Sequence, residues 1–84
     1  MSSGYDYSVD REAVAVLIQR TESEQRFLLD AFAAIARHPS ARGDYTFVGD
    51  HGRENQVLDL GGFLVTFWVD DAVRTLRILE VEPV

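Results

Sequence analysis

Residues 50–53 carry side chains that could perform acid–base chemistry on a phosphate. They read Asp50-His51-Gly52-Arg53, so a carboxylate, an imidazole and a guanidinium fall within four positions. An imidazole can accept or donate a proton near neutral pH, and a guanidinium can stabilise developing negative charge. The same mixture of acid, glycine and polar residues is also typical of a solvent-exposed turn. His51 is therefore either a catalytic or metal-binding candidate or part of an ordinary turn.

Three arginines form a second candidate group, a small anion site. Arg37 lies at the end of a predicted helix, Arg42 in the loop that follows, and Arg53 at the start of a predicted strand. Guanidinium groups bind carboxylates and phosphates through paired hydrogen bonds. The alternative is that each arginine forms an ordinary ion pair on the surface.

Metal and cofactor sites are not predicted. The chain has no cysteine, and His38 and His51 lack the i, i+4 spacing of a helical metal pair. Asp70-Asp71 could bind a cation, but adjacent carboxylates at a strand end point in different directions, and a hairpin turn explains them. A glycine-rich phosphate loop and a nucleophile elbow are both absent from the sequence. We expect no metal, no cofactor and no catalytic constellation.

Charge and length restrict the classes of partner. The net charge is −6, and all eight basic residues are arginine. Binding to nucleic acid depends on clustered basic residues, so it is not expected. No apolar run approaches the ~20 residues of a membrane span, and the N-terminus does not resemble a signal peptide. We expect one domain over residues 1–84, without a membrane segment and located in the cytoplasm.

Two helices and five strands must position these residues. A short alternating strand is predicted at 5–9 and a helix at 11–20, with Asp10 as N-cap and with Val14, Leu17 and Ile18 on one face. Thr21 and Glu24 match a capping box for a second helix, which places Leu28, Ala31, Phe32 and Ile35 on one face and ends before Pro39. Further strands are predicted at 45–48, 53–60, 63–70 and 73–81. The order β-α-α-β-β-β-β predicts an α+β fold, with two helices packed on one face of a small antiparallel sheet.

The predicted hairpins assign every side chain of the last three strands to one face. With two-residue turns at Gly61-Gly62 and Asp71-Ala72, the core face collects Leu58, Leu60, Phe63, Val65, Phe67, Val69, Leu76 and Ile78. The opposite face collects Asn55, Val57, Asp59, Leu64, Thr66, Trp68, Thr75, Arg77, Leu79 and Val81. In this register Leu64 and Leu79 are cross-strand neighbours, and Trp68 lies close to Asn55 and Thr75. Such a mixed face is either covered by a terminal segment or binds a partner, and Leu64, Trp68, Arg77 and Leu79 are the predicted contacts.

Over residues 5–81 the chain resembles the RelE/ParE superfamily of type II toxin–antitoxin toxins. Besides the element order, the resemblance lies in Ala36-Arg37-His38-Pro39, Gly43-Asp44, Gly52-Arg53, Leu60-Gly61-Gly62-Phe63-Leu64-Val65, Phe67-Trp68-Val69-Asp70-Asp71 and the closing strand at 73–81. The resemblance implies a cognate antitoxin whose extended segment or helix wraps the toxin. It further implies, for the ribosome-dependent ribonuclease branch, basic residues and often a C-terminal tyrosine on the open sheet face.

The chain departs from the ribonuclease pattern. Leu64 stands where the family often has arginine, and Asn55, Val57 and Asp59 stand where basic side chains are expected. The sequence ends Glu82-Pro83-Val84, with no basic or tyrosine-bearing segment after the last strand. Arg77 is the one cation of the predicted face. RNA cleavage also needs a base and an acid, so we expect no ribonuclease activity.

Three functional hypotheses follow. The first is a toxin-like member of this superfamily that is paired with an antitoxin and either works by protein binding or is reduced to a non-catalytic relative. The second is a ribosome-dependent mRNA endonuclease that uses Arg77, Arg53 and His51. The third is a homodimeric interaction module without toxin function.

Overall fold

The computed structural model describes residues 4–39, 45–49 and 52–84, and it confirms the predicted order of elements. The strands are β1 (Asp6–Val9), β2 (Tyr45–Val48), β3 (Glu54–Asp59), β4 (Phe63–Asp70) and β5 (Thr75–Pro83). The helices, α1 (Arg11–Leu17) and α2 (Glu22–Arg37), follow β1. The predicted loop at 39–44 lies largely outside the described residues. No described helix is long and apolar enough to cross a membrane.

The strands form one five-stranded mixed sheet in the order β1-β5-β4-β3-β2. The pairs from β2 to β5 are antiparallel, as predicted. β1 instead pairs with β5 in parallel, with Tyr7 beside Leu76 and Val9 beside Ile78. A parallel neighbour needs a long connection, and here α1, α2 and the first three antiparallel strands supply it.

Helix α2 is specified by a capping box at its start, a proline after its end and an apolar stripe along one face. The capping box is present: the backbone N–H of Glu24 donates to Thr21 Oγ1 at 3.2 Å, and the backbone N–H of Thr21 donates to Glu24 Oε1 at 3.1 Å. The helix ends at Arg37 because the residue before Pro39 is sterically pushed out of the helical region. Leu28, Phe32 and Ala36 are buried against the sheet.

Helix α1 is shorter than predicted, and part of its predicted apolar face is wrong. Ala13 and Leu17 are the buried residues, whereas Val14 is 40% exposed and Ile18 70% exposed. The helix stops at Leu17 and the chain turns into α2, so Ile18 does not complete a further helical turn over the sheet. With only seven residues, α1 can present only a narrow face.

The hairpin between β3 and β4 has the predicted register. Gln56 pairs with Phe67 and Leu58 with Val65, and the backbone N–H of Leu60 donates to the carbonyl of Phe63 at 2.9 Å. The turn requires positive φ at both central positions, +74° at Gly61 and +148° at Gly62, which glycine adopts without a Cβ clash. The glycine pair therefore determines the register of the whole β3–β4 ladder.

The hairpin between β4 and β5 differs from the predicted one. Its turn has four residues, 71–74, and closes on the pair Asp70 and Thr75. A two-residue turn at Asp71-Ala72 would have required positive φ without glycine, whereas the longer turn places only Arg74 there, at φ 52°. Phe67 consequently pairs with Ile78 rather than with Leu76.

A β-bulge in β5 produces a second correction. Thr66 lies opposite Glu80 and Phe67 opposite Ile78, so Leu79 is the extra residue. A bulge shifts the alternation of everything beyond it. Val81, predicted on the open face, is instead 1% exposed in the core opposite Val65.

The core lies between the helices and one face of the sheet. It confirms the predicted core face: Phe63, Val65, Phe67, Leu76 and Ile78 are buried together with helix residues Ala13, Leu17, Leu28, Phe32 and Ala36. Leu58, Leu60 and Val69 pack against this cluster, and the ring of Tyr7 meets that of Phe32 edge-on at 5.8 Å.

The bulge predicts unequal losses of stability at two nearby positions of β5. Val81→Asp should place an unpaired carboxylate in the core and remove about 4 kcal/mol or more of the free energy of unfolding. Leu79→Asp introduces the same group on the half-exposed face and should lose only about 1 kcal/mol. Urea denaturation of both variants measures the difference. Equal losses would contradict the bulged register of β5.

Candidate functional site

The candidate site is the open face of the sheet, opposite the helices. We define it by the β3–β5 side chains that alternate with the core residues: Asn55, Val57, Asp59, Leu64, Thr66, Trp68, Asp70, Thr75, Arg77, Leu79, Glu80 and Glu82. The core cluster joins both helices to the other face. The apolar side chains of the open face are all partly exposed rather than buried.

Trp68 lies between two arginines at one end of this face. Arg53 Cζ is 4.5 Å from the centroid of the indole ring, within cation–π range. On the other side Arg77 is the cross-strand partner of Trp68, and not Thr75 as predicted. Trp68 Nε1 and Asn55 Oδ1 are both buried atoms without a hydrogen-bond partner among the described residues. This end of the face is therefore aromatic, cationic and rich in unused hydrogen-bonding capacity.

Arg77 is held in place by an acid of the neighbouring strand. Its Nε lies 3.5 Å from Asp70 Oδ2, and the two side chains are 39% and 19% exposed. A pair of this exposure contributes only ~0.2–1 kcal/mol to stability. Its larger effect is local, because Asp70 offsets the charge of the one cation that β4 and β5 place on the open face.

The other end of the face is acidic around an apolar residue. Leu64 lies between Asp59 on β3 and Glu82 on β5, and Thr66 lies opposite Glu80. The predicted contact between Leu64 and Leu79 is wrong, because the longer turn and the bulge move β5 along β4. Leu64, Trp68, Arg77 and Leu79 thus share a face as predicted, but as two groups with acids between them.

The structure describes two of the three arginines of the predicted anion site. Arg53 is engaged by the indole of Trp68, and Arg37 is an exposed residue of the last turn of α2. Arg42 lies outside the described residues, as does His51. Convergence of the three arginines on an anion stays a prediction.

A cavity of about 530 Å³ opens beside Trp68 where the N-terminal segment meets the β4–β5 turn. Tyr5 closes one side: its hydroxyl donates to Asp71 Oδ1 at 2.7 Å, and Arg74 Cζ lies 4.9 Å from its ring centroid. The hydrogen bond to Asp71, partial burial and the charge of Asp71 raise the pKa of Tyr5, and the charge of Arg74 opposes them. The cavity lining comprises Tyr5, Pro39, Arg53, Glu54, Gln56, Trp68, Val69 and Asp71.

Three features of this region have no counterpart among the sequence-based expectations. The contact of Tyr5 with Asp71 spans 66 positions, and no local pattern signals it. The stacking of Arg53 on Trp68 agrees with the predicted β3–β4 register, which places Asn55 next to Trp68, and that register is the signal that could have found it. Glu80 and Glu82 were missed because the predicted β5 register does not include the bulge. Among the described residues no cluster of three or more histidine and acidic side chains could hold a metal.

The similarity of this chain to known proteins lies in structure and not in sequence. No protein-family model and no curated protein sequence matches the chain. A chain of the RelBE2 toxin–antitoxin complex of Mycobacterium tuberculosis aligns with 96% of this chain and 99% of its own length, at TM-score 0.79 and 18% identity. The archaeal RelE–RelB complex of Pyrococcus horikoshii aligns over 99% and 96%, at TM-score 0.76 and 19% identity. The isolated E. coli RelE toxin aligns over 94% and 83%, at TM-score 0.64 and 15% identity.

The chain has the RelE toxin fold. The resemblance noted in the sequence is thereby confirmed at the level of architecture, from β1 to the end of β5. At 15–19% identity the RelE-like fold is what these proteins share. The chemistry of the open face must be argued from the residues of this chain.

The raised pKa of Tyr5 predicts an alkaline titration. The folded protein should hold the phenolic proton above pH about 10, the ordinary tyrosine value. A raised folded-state pKa stabilises the protein at lower pH, and this contribution should disappear as the pH rises through the raised value. Ultraviolet titration of tyrosinate should show a late transition that Tyr5→Phe removes. Asp71→Asn should move the same transition to lower pH, and an unchanged curve in Asp71→Asn would contradict the assignment.

Proposed function

We propose that this protein is a toxin-like component of a type II toxin–antitoxin system that acts by binding protein and has no ribonuclease activity. The fold supports the first part, because the similar chains include the isolated E. coli RelE toxin and chains from three complexes of toxins with their antitoxins. A cognate antitoxin is accordingly the first partner that we propose.

The observation that carries the non-catalytic part is the chemistry of the open face. Cleavage of RNA by the 2′-hydroxyl needs a proton acceptor, a proton donor and positive charge at the phosphate. Of the open-face residues that β3, β4 and β5 contribute, none is histidine, lysine or tyrosine, and Arg77 is paired with Asp70. Asp59, Glu80 and Glu82 add negative charge on the same surface. This arrangement repels a phosphate backbone.

Protein binding is favoured by the remaining side chains of the face. Trp68, Leu64 and Leu79 are partly exposed on a rigid sheet, and Trp68 is a residue type enriched among the dominant contacts of protein interfaces. Their rigidity reduces the conformational entropy lost on binding. Leu64, Trp68, Arg77 and Leu79 therefore remain the proposed partner contacts.

One observation favours the second candidate, the ribosome-dependent endonuclease. Arg53 and Arg77 flank the indole of Trp68, and an aromatic ring with cations can stack an unpaired base and hold its phosphate. That function would require His51 or another group to move protons, so the two candidates differ in a measurable activity.

The test is induced expression in bacteria, with growth and mRNA integrity followed together. We expect growth arrest with intact mRNA, relieved by co-expression of a cognate antitoxin. Trp68→Ala should weaken target binding by about 2 kcal/mol, roughly 30-fold, and so reduce the arrest.

The matched control is Val48→Ala, which truncates a side chain that is 73% exposed on β2. It should leave the arrest unchanged. Cleavage of mRNA in a translation extract that is lost in Arg77→Ala would overturn the non-catalytic assignment. Harmless expression would overturn the toxin assignment.

A further inference from the structure

We propose that the open face binds a basic amphipathic segment of a partner protein, whose arginine or lysine side chains pair with Glu80 and Glu82 while its apolar side chains cover Leu64 and Leu79. This inference rests on the proposed function and names the chemistry of the partner. Charge and apolar surface are arranged on β3, β4 and β5 in a way that fits such a segment.

The acids of the open face are placed to receive cations. Glu80 and Glu82 are exposed, and they project beside Thr66 and Leu64 on the neighbouring strand. Neither carboxylate forms a hydrogen bond or an ion pair with another residue that the structure describes. Asp59 extends the negative charge across the sheet to β3, on the far side of Leu64.

Among the described residues, the cations near the face do not balance Glu80 and Glu82. Arg77 is 3.5 Å from Asp70, and Arg53 lies against the indole of Trp68 at the opposite end from Glu82. Residues 54–84, which contain β3 to β5, hold six acidic residues and two arginines, a net charge of −4. The field above Leu64 is therefore negative.

The apolar side chains of the open face indicate that the cationic partner segment is also amphipathic. Leu64 and Leu79 are partly exposed beside these carboxylates. Long arginine and lysine side chains can lay their methylene stems on apolar surface while the charged group reaches an acid. A segment that combines such residues with aliphatic ones buries Leu64 and Leu79 and neutralises the glutamates together.

The same charges disfavour two other occupants. An RNA strand would bring phosphates next to Glu80 and Glu82, without the clustered cations that phosphate binding needs. A second copy of this chain, itself at −6, would bring the same acids face to face, and like charges across an interface suppress pairing. The observations therefore select a basic protein segment.

The test measures the binding of two synthetic peptides by calorimetry and by the emission of Trp68, the only tryptophan of the chain. One peptide alternates arginine with valine, and the other alternates glutamate with valine. We expect only the arginine peptide to bind, with an affinity that falls as salt is added, since exposed ion pairs are screened. Equal binding of both peptides, or binding of neither, overturns the proposal.

Matched charge variants separate this face from the overall charge of the protein. Glu80→Lys combined with Glu82→Lys should weaken binding of the arginine peptide about tenfold or more. Glu12→Lys combined with Asp30→Lys makes the same change in net charge on the exposed faces of α1 and α2, and should change the affinity less than about twofold. Equal weakening in both pairs would mean non-specific attraction and would overturn the proposal.

Two further measurements exclude the other occupants. A single-stranded RNA that displaces the arginine peptide, or sedimentation as a dimer that Glu82→Lys abolishes, overturns the inference. Growth arrest is measured separately. Peptide binding without toxicity contradicts the proposed function and supports this inference. Toxicity without peptide binding supports the proposed function and overturns this inference.

Discussion

The alternation of side chains along β4 is the constraint on which both the core and the candidate site depend. β4 is the middle strand of the sheet, paired with β3 on one edge and β5 on the other. Phe63, Val65 and Phe67 point into the core, so Leu64, Thr66 and Trp68 necessarily point away from it. Burial of the first set fixes the positions of the second set, so the packing behind the open face determines its geometry.

Local signals were sufficient wherever one short pattern determined an element. The capping box at Thr21, the proline after His38 and the glycine pair at 61–62 each act over a few residues, and the elements that they delimit were predicted well. The predictions differ from the structure where a turn length or a bulge shifts the pairing of all the residues that follow it. The four-residue turn and the bulge at Leu79 contain no glycine that would predict them from the sequence. Together they determine which side chains of β5 face Leu64. The parallel pairing of β1 and its contact through Tyr5 are long-range and have no counterpart in sequence periodicity.

The RelE fold and the charge of its open face are separable properties. The core that the fold requires is built from one set of β-strand positions, and the charge lies on the other set. In this chain the exposed set combines an aromatic residue, two aliphatic residues, a paired arginine and several acids. A fold-level likeness at 14–19% identity is compatible with this chemistry, because none of these positions contributes to the buried cluster.

The bulge at Leu79 also bears on how this protein can evolve. It lets β5 place Val81 in the core while Glu80 and Glu82 stay outside, and loss of Leu79 alone would leave the same pairs with β4, because Glu80 would then follow Ile78 directly opposite Thr66. A shift of one position beyond Glu80 would instead exchange the two sides of the strand end. Substitutions at Glu80 and Glu82 leave the buried residues untouched. The charge of the open face can therefore change through single codon replacements, and proteins that share this backbone can differ there without losing the buried core.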